Sequence, residues 1–310
     1  MPVGRLPNLL VAGVPKAGTG ALFAYMTQHP EICRADQKEI GWLNYYNPLR
    51  HQGEAPPLET YMEHFAGCGD QRYAIDATPT YSYGGKPVVD AVRTLLGQPK
   101  IIITLRNPVD RLWSAYTFQR TLGNITHIRS FDEYLTVCEQ QKRHAADLVP
   151  RDHLHGLYIG FYADYLGHWL KEFGDDLRVV FADDMLHNTA GVIGGIFEWL
   201  DIDSTVTASM SLAPRNTTQH ARSPRVAKVV FSAKRQVDRR LGRVSPALRQ
   251  PLRRAYERLN AGQLPERLEP ATRQRVETLY RESNRATAQM LTAHGYDGLP
   301  AWLAVEAAPE

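Results

Sequence analysis

The chain has 310 residues, 43% hydrophobic and 22% charged, the balance of an ordinary globular protein rather than a disordered or fibrous one. Its formal net charge of +3 suits an anionic ligand without demanding nucleic acid. There are three cysteines, Cys33, Cys68 and Cys138, with no CxxC spacing, which argues against a disulfide framework or a zinc site and for a reducing, cytoplasmic setting.

In chain order, Leu9–Val14 reads as a buried strand and Thr19–Gln28 as the helix after it. The apolar run is far shorter than a signal h-region or a membrane span, and no other stretch is long enough for one. Residues 44–60 hold Asn, Pro and Gly without periodicity and read as a loop. Tyr61–Phe65 is a helical turn, and Tyr73–Asp76 is a short strand ending in the turn-rich TPTYSYGG. Pro87–Leu96 has helical spacing. Lys100–Leu105, KIIITL, is a continuous β-branched run, the mark of a central parallel strand. Val109–Gln119 is the next helix, Tyr158–Phe173 another, Leu177–Phe181 a further strand and Gly191–Leu200 a helix. Residues 228–258 carry ten Lys or Arg against two acids and read as short basic helices or a solvated basic face; a final helix covers Glu266–Gly295. Strands alternating with helices imply a parallel α/β sheet in a single domain over residues 1–310, with a basic helical elaboration from about residue 225.

The stretch LLVAGVPKAGTGALFAYM has the layout of strand, phosphate-cradling turn and helix, yet it lacks the Walker signature. Lys16 sits inside the loop. Main-chain N–H groups from Ala17, Gly18, Thr19, Gly20 and Ala21 can cradle a phosphate where the helix dipole also helps. Farther on, Arg106 stands where a strand meets a loop, a position that favours direct neutralisation of an anion. Ser114 follows on the next helix and pairs with it as a second phosphate site.

PKAGTGAL at 15–22 resembles the 5′-phosphosulfate loop of sulfotransferases that use PAPS, 3′-phosphoadenosine 5′-phosphosulfate. LRNPVDRLWSAY at 105–116 resembles their 3′-phosphate motif, with Arg and Ser at the family spacing. The branch most similar is the glycosaminoglycan type, which includes the heparan sulfate N- and 3-O-sulfotransferases. The resemblance covers roughly residues 8 to 230. It implies a P-loop-like three-layer fold, a central parallel sheet of about five strands flanked by helices. It also implies metal-free transfer of a sulfuryl group from PAPS, leaving PAP.

By this resemblance Lys16 contacts the bridging oxygen and the sulfuryl group, and Arg106 and Ser114 bind the 3′-phosphate. Glu39, in QKEIGWLN, matches the branch's acid and is the candidate general base. A histidine base remains the competing idea, with eleven histidines and no local signature among them. Gly41–Trp42 replaces the aromatic pair that commonly follows the acid. Asp76, in DATPTYSY, reads either as an acceptor contact or as a strand-end cap, and Ala77 stands where the branch has a lysine. Arg222 and Ser223, in PRNTTQHARSPR, resemble a late loop that closes over the nucleotide. Trp42 and Tyr81 belong to an aromatic-rich stretch suited to stacking on an acceptor.

The expected acceptor is a hydroxyl, in preference to an amine, on a carbohydrate, glycoside, natural product or lipid-linked small molecule, with no nucleic acid and no transmembrane segment. Two other readings stand beside this one. One is a Mg²⁺-dependent nucleotide kinase or NTPase with an atypical loop, its metal on Asp183 or Asp184. The other is a nucleotide-binding protein that has lost turnover.

Overall fold

The computed structural model describes residues 4–50, 53–140, 152–213, 220–221, 261–262 and 267–304. Five strands form one sheet: β1 (Leu9–Gly13), β2 (Ile32–Arg34), β3 (Tyr73–Asp76), β4 (Lys100–Leu105) and β5 (Leu177–Phe181). Their order is β2-β3-β1-β4-β5, and every neighbouring pair is parallel. Parallel strands require crossovers, and helices supply them. These are α1 (Thr19–Met26), α2 (Glu59–Met62), α3 (Gly85–Leu96), α4 (Pro108–Thr121), α5 (Phe131–Gln140), α6 (Ala163–Phe173), α7 (Ala182–His187), α8 (Thr189–Trp199) and α9 (Pro270–Ala293).

Alternation along the strands decides the layers. Leu10, Ala12, Ile101 and Ile103 point to one face and pack with Val88, Val92, Leu166 and Trp169 of α3 and α6. Leu9, Val11, Ile75 and Ile102 point to the other and pack with Leu22, Met26, Ile193 and Phe197 of α1 and α8. Both faces are covered, which is why β1 and β4 read as continuous apolar runs rather than alternating ones. A third cluster joins α4, α5 and α9 through Leu112, Tyr116, Tyr134, Val276 and Tyr280. The central parallel sheet with flanking helices agrees with the sequence reading.

Several element readings shift. The edge strand β2 and helix α5 were not expected: β2 is three residues long, and the helical spacing of Phe131, Tyr134, Leu135 and Cys138 in α5 was passed over. The helix expected over 158–173 is a 3₁₀ turn at Tyr158–Gly160, a break at Phe161, then α6. The break is a packing event: the Tyr162 hydroxyl donates to the Arg106 carbonyl and the Tyr165 hydroxyl to the Ile159 carbonyl. The basic segment 228–258, with Arg222 and Ser223, lies outside the described residues. No helix among the described residues is long and apolar enough to cross a membrane.

The cysteine reading needs correction. Cys33 on β2 and Cys68 in the turn before β3 form a disulfide with a Cα–Cα distance of 5.7 Å. They are 35 residues apart in sequence, but the parallel β2–β3 pairing folds the intervening chain back onto the sheet edge. The argument from cysteine spacing for a reducing compartment falls with it. Cys138 is free and buried. Alkylation of the denatured, unreduced protein is expected to label one cysteine, Cys138. Labelling of all three before reduction would contradict the pairing.

Candidate active site

From β1 the chain first builds β2 and β3 on one side, then crosses to β4 on the other. The crevice beyond the carboxyl ends of β1 and β4 is therefore a topological switch point, where open parallel sheets bind ligands. The two phosphate-loop motifs leave these two strands.

β1 ends at Gly13, where a Cβ would stand 2.3 Å from the Ser82 Oγ, so only glycine lets the strand end approach that turn. The loop then bends through left-handed backbone at Lys16 (φ 72) and Gly18 (φ 92). Gly18 adopts this freely; Lys16 does so only because its surroundings hold it. The Ala17 amide donates to the Val14 carbonyl, and the Ala21 and Leu22 amides to the Gly18 carbonyl. That leaves the amides of Gly18, Thr19 and Gly20 with no acceptor among the described residues, at the N-terminus of α1. The five-residue cradle expected from sequence thus narrows to three free donors, since Ala17 and Ala21 are spent on the turn itself. Unpaired amides at the positive end of a helix are an anion site.

Arg106 closes the other side. One guanidinium nitrogen donates to the Lys16 carbonyl at 3.3 Å, so the two loops are tied together. Asn107 caps α4 by accepting from the Val109 amide, and Pro108 occupies the first helical turn. Ser114 lies buried on α4, the helix that Arg106 leads into. One turn on, the ring of Phe118 lies under the Lys16 ammonium, 4.1 Å from Nζ to the centroid. Phe118 is 39% exposed, an unusual state for so large an apolar ring. Sequence reading missed it, although its spacing from Ser114 puts both on one helix face.

Burial, and then the charge of Arg106, lower the Lys16 ammonium to about 8; Glu39 acts in the opposite direction. Glu39 is exposed, with left-handed backbone (φ 61), and its carboxylate pairs with Lys38 Nζ at 2.5 Å. Lys16 thus feels both Arg106 and Glu39, with Ser114 on the helix that Arg106 leads into.

The remaining candidates sit behind this surface. The Asp76 carboxylate is buried at the end of β3 and accepts from the hydroxyls of Tyr61 (2.7 Å), Tyr81 (2.8 Å) and Thr78 (2.8 Å). Burial pushes its carboxyl upward, against the pull of those hydrogen bonds. Trp42 stacks on Tyr61 at 5.1 Å and donates to Thr60. Trp42 and Tyr81 are both buried, so neither offers an open face. Of the late segment, the described residues are His220–Ala221, a short strand whose backbone runs near α4. Asp183 accepts from the Trp302 indole, and Asp184 is exposed on α7. No group of His, Cys, Asp or Glu suited to a metal occurs among the described residues.

Comparison with known proteins gives this geometry its family. The sulfotransferase domain model matches residues 6–239. The bifunctional heparan sulfate N-deacetylase/N-sulfotransferase of Drosophila melanogaster is 26% identical over 224 residues, 67% of this chain and 21% of that protein. Human heparan sulfate glucosamine 3-O-sulfotransferase 3B1 is 27% identical over 204 residues, 66% of this chain and 48% of that one. The chain therefore spans less than half the length of these relatives. A sulfotransferase structure from Alicyclobacillus acidocaldarius superposes with a TM-score of 0.66 at 20% identity, covering 96% of this chain and 99% of that one, a likeness of fold. With the domain match running across the phosphate loop, β4 and Glu39, the chain belongs to the sulfotransferase family.

Proposed function

We propose that the protein transfers a sulfuryl group from PAPS to a hydroxyl, in preference to an amine, of a carbohydrate, glycoside or natural-product acceptor. The observation that carries this reading is the triplet of free amides at Gly18, Thr19 and Gly20 beside a lysine and an arginine at the switch point. PAPS supplies an activated sulfuryl group on a phosphate leaving group. The three amides hold the 5′-phosphate. Arg106 and the Ser114 hydroxyl take the 3′-phosphate. Lys16 faces the bridging oxygen, where negative charge grows as the S–O bond breaks, so its ammonium lowers the barrier. Glu39 accepts the acceptor's proton as the new O–S bond forms. Arg222 and Ser223, which follow His220–Ala221 in sequence, would close the nucleotide site.

The acceptor side carries less charge than the heparan sulfate relatives' names suggest. Ala77, buried at 1%, stands where that branch has a lysine, so no cation projects there. Trp42, Asp76 and Tyr81 support this side from within, and the exposed ring of Phe118 supplies its apolar contact. The kinase alternative would need Asp183 or Asp184 on a metal, and the family match does not favour it.

Two outcomes test the nucleotide site. By calorimetry in EDTA, Arg106→Ala is expected to weaken PAP binding by about 1.5–3 kcal/mol, roughly ten- to hundredfold, the usual worth of a hydrogen bond to a charged group. Unchanged affinity would remove Arg106 from the site, and Mg²⁺-dependent ATP binding in place of PAP would revive the kinase reading. The second outcome concerns pH. Free Lys16 is charged below about 8 and neutral above it, while the phosphates of PAP are already fully ionised there. Affinity should therefore fall as pH rises through 8, with proton uptake on binding. Lys16→Ala should flatten that dependence. A wild-type profile flat from pH 7 to 9 would contradict the role of Lys16.

A further inference from the structure

Of the three hydroxyls that donate to Asp76, those of Thr78 and Tyr81 lead toward Glu39, while that of Tyr61 belongs to a ring stacked on Trp42. Asp76 Oδ1 accepts from the Thr78 hydroxyl, and Thr78 Oγ1 in turn accepts from the Gly41 amide at 3.2 Å. Its Oδ2 accepts from the Tyr81 hydroxyl, and that oxygen accepts from the Leu43 amide at 3.3 Å. Gly41 and Leu43 lie two and four residues after Glu39, whose left-handed backbone persists only while its neighbours are held. The same segment is stitched again at Asn44, which accepts from the Thr80 hydroxyl.

The polarity of this network matters. A carboxylate only accepts, so both hydroxyls must spend their protons on it. Their lone pairs are then free to receive the two amides. A neutral amide at position 76 has a donor side, and a hydroxyl on that side no longer needs to point its proton inward. Asp76, Thr78 and Tyr81 are all buried, so no water replaces a lost partner cheaply.

We infer that Asp76 is a positioning residue for the acceptor-activating base, acting through Thr78 and Tyr81 on the amides of Gly41 and Leu43 and so on the turn that presents Glu39. This rests on the reading of Glu39 as the base. It gives the strand-end acid a task without requiring it to touch substrate.

The test is a mutant cycle with two readouts. The first is release of sulfate from PAPS with water as acceptor: the water oxygen bonds to sulfur, the bond from sulfur to the bridging oxygen breaks, PAP leaves, and Glu39 takes the proton. Asp76→Asn and Thr78→Val are each expected to lower kcat about ten- to hundredfold with KM for PAPS within about twofold of wild type. Thr78→Ser, which keeps the hydroxyl, should restore it. Combined with Glu39→Gln, neither substitution should cost more than Glu39→Gln alone, because both act through the same group. The second readout is amide hydrogen exchange, which needs no turnover. Gly41 and Leu43 should lose protection in Asp76→Asn and keep it in Glu39→Gln. Losses that multiply with that of Glu39→Gln, unchanged kcat, or unchanged protection at both amides would overturn the inference. Wild-type turnover in Glu39→Gln, with the two amides loosened in Asp76→Asn, would instead locate the failure in the base assignment and end the positioning role with it.

Discussion

Because β1 and β4 run parallel and side by side, the loops that leave them emerge together at one edge of the sheet, and the Arg106 guanidinium bonds to the Lys16 carbonyl across that gap. The rest of the site hangs on this pairing. It sets the first turn of α1, with its three free amides, beside the first turn of α4, whose own donors are partly satisfied by Asn107. Residues far apart in the chain thereby become one wall of a crevice. The apolar runs LLVAG and KIIITL exist to keep both strands buried, so the core that stabilises the fold is also what fixes the spacing of the charges.

The electrostatics of that crevice are unbalanced when empty of anions. Burial disfavours the Lys16 ammonium most and the charge of Arg106 adds to it, which is why the lysine is easier to deprotonate than in water. Glu39 offsets part of this from the acceptor side, and Phe118 offers the ammonium the electron-rich face of its ring. A phosphate group at this position would relieve the repulsion and satisfy the amides at once. The left-handed backbone at Lys16 accompanies a carbonyl that accepts from Arg106.

Much of this was legible from the chain. Apolar runs marked the inner strands, and the loop PKAGTG and Arg106 marked two segments that the fold ties together at one edge of the sheet. What escaped reading did so for identifiable reasons. β2 is three residues long at a sheet edge, too short to carry a period. Cys33 and Cys68 meet only because β2 and β3 are paired, which no spacing rule encodes. The break ahead of α6 is imposed by tyrosine hydroxyls reaching distant carbonyls. Trp42 and Tyr81 looked like stacking surfaces because sequence shows the ring and not what covers it. Asp76 left two readings open because its partners, Tyr61 and Tyr81, approach from opposite directions along the chain.

The measurement that bears most directly on the account is a crystal structure of the protein with PAP bound. The account predicts the 5′-phosphate on the amides of Gly18, Thr19 and Gly20, and the 3′-phosphate against Arg106 and Ser114. A nucleotide bound elsewhere, or with its two phosphates exchanged between these positions, would contradict it.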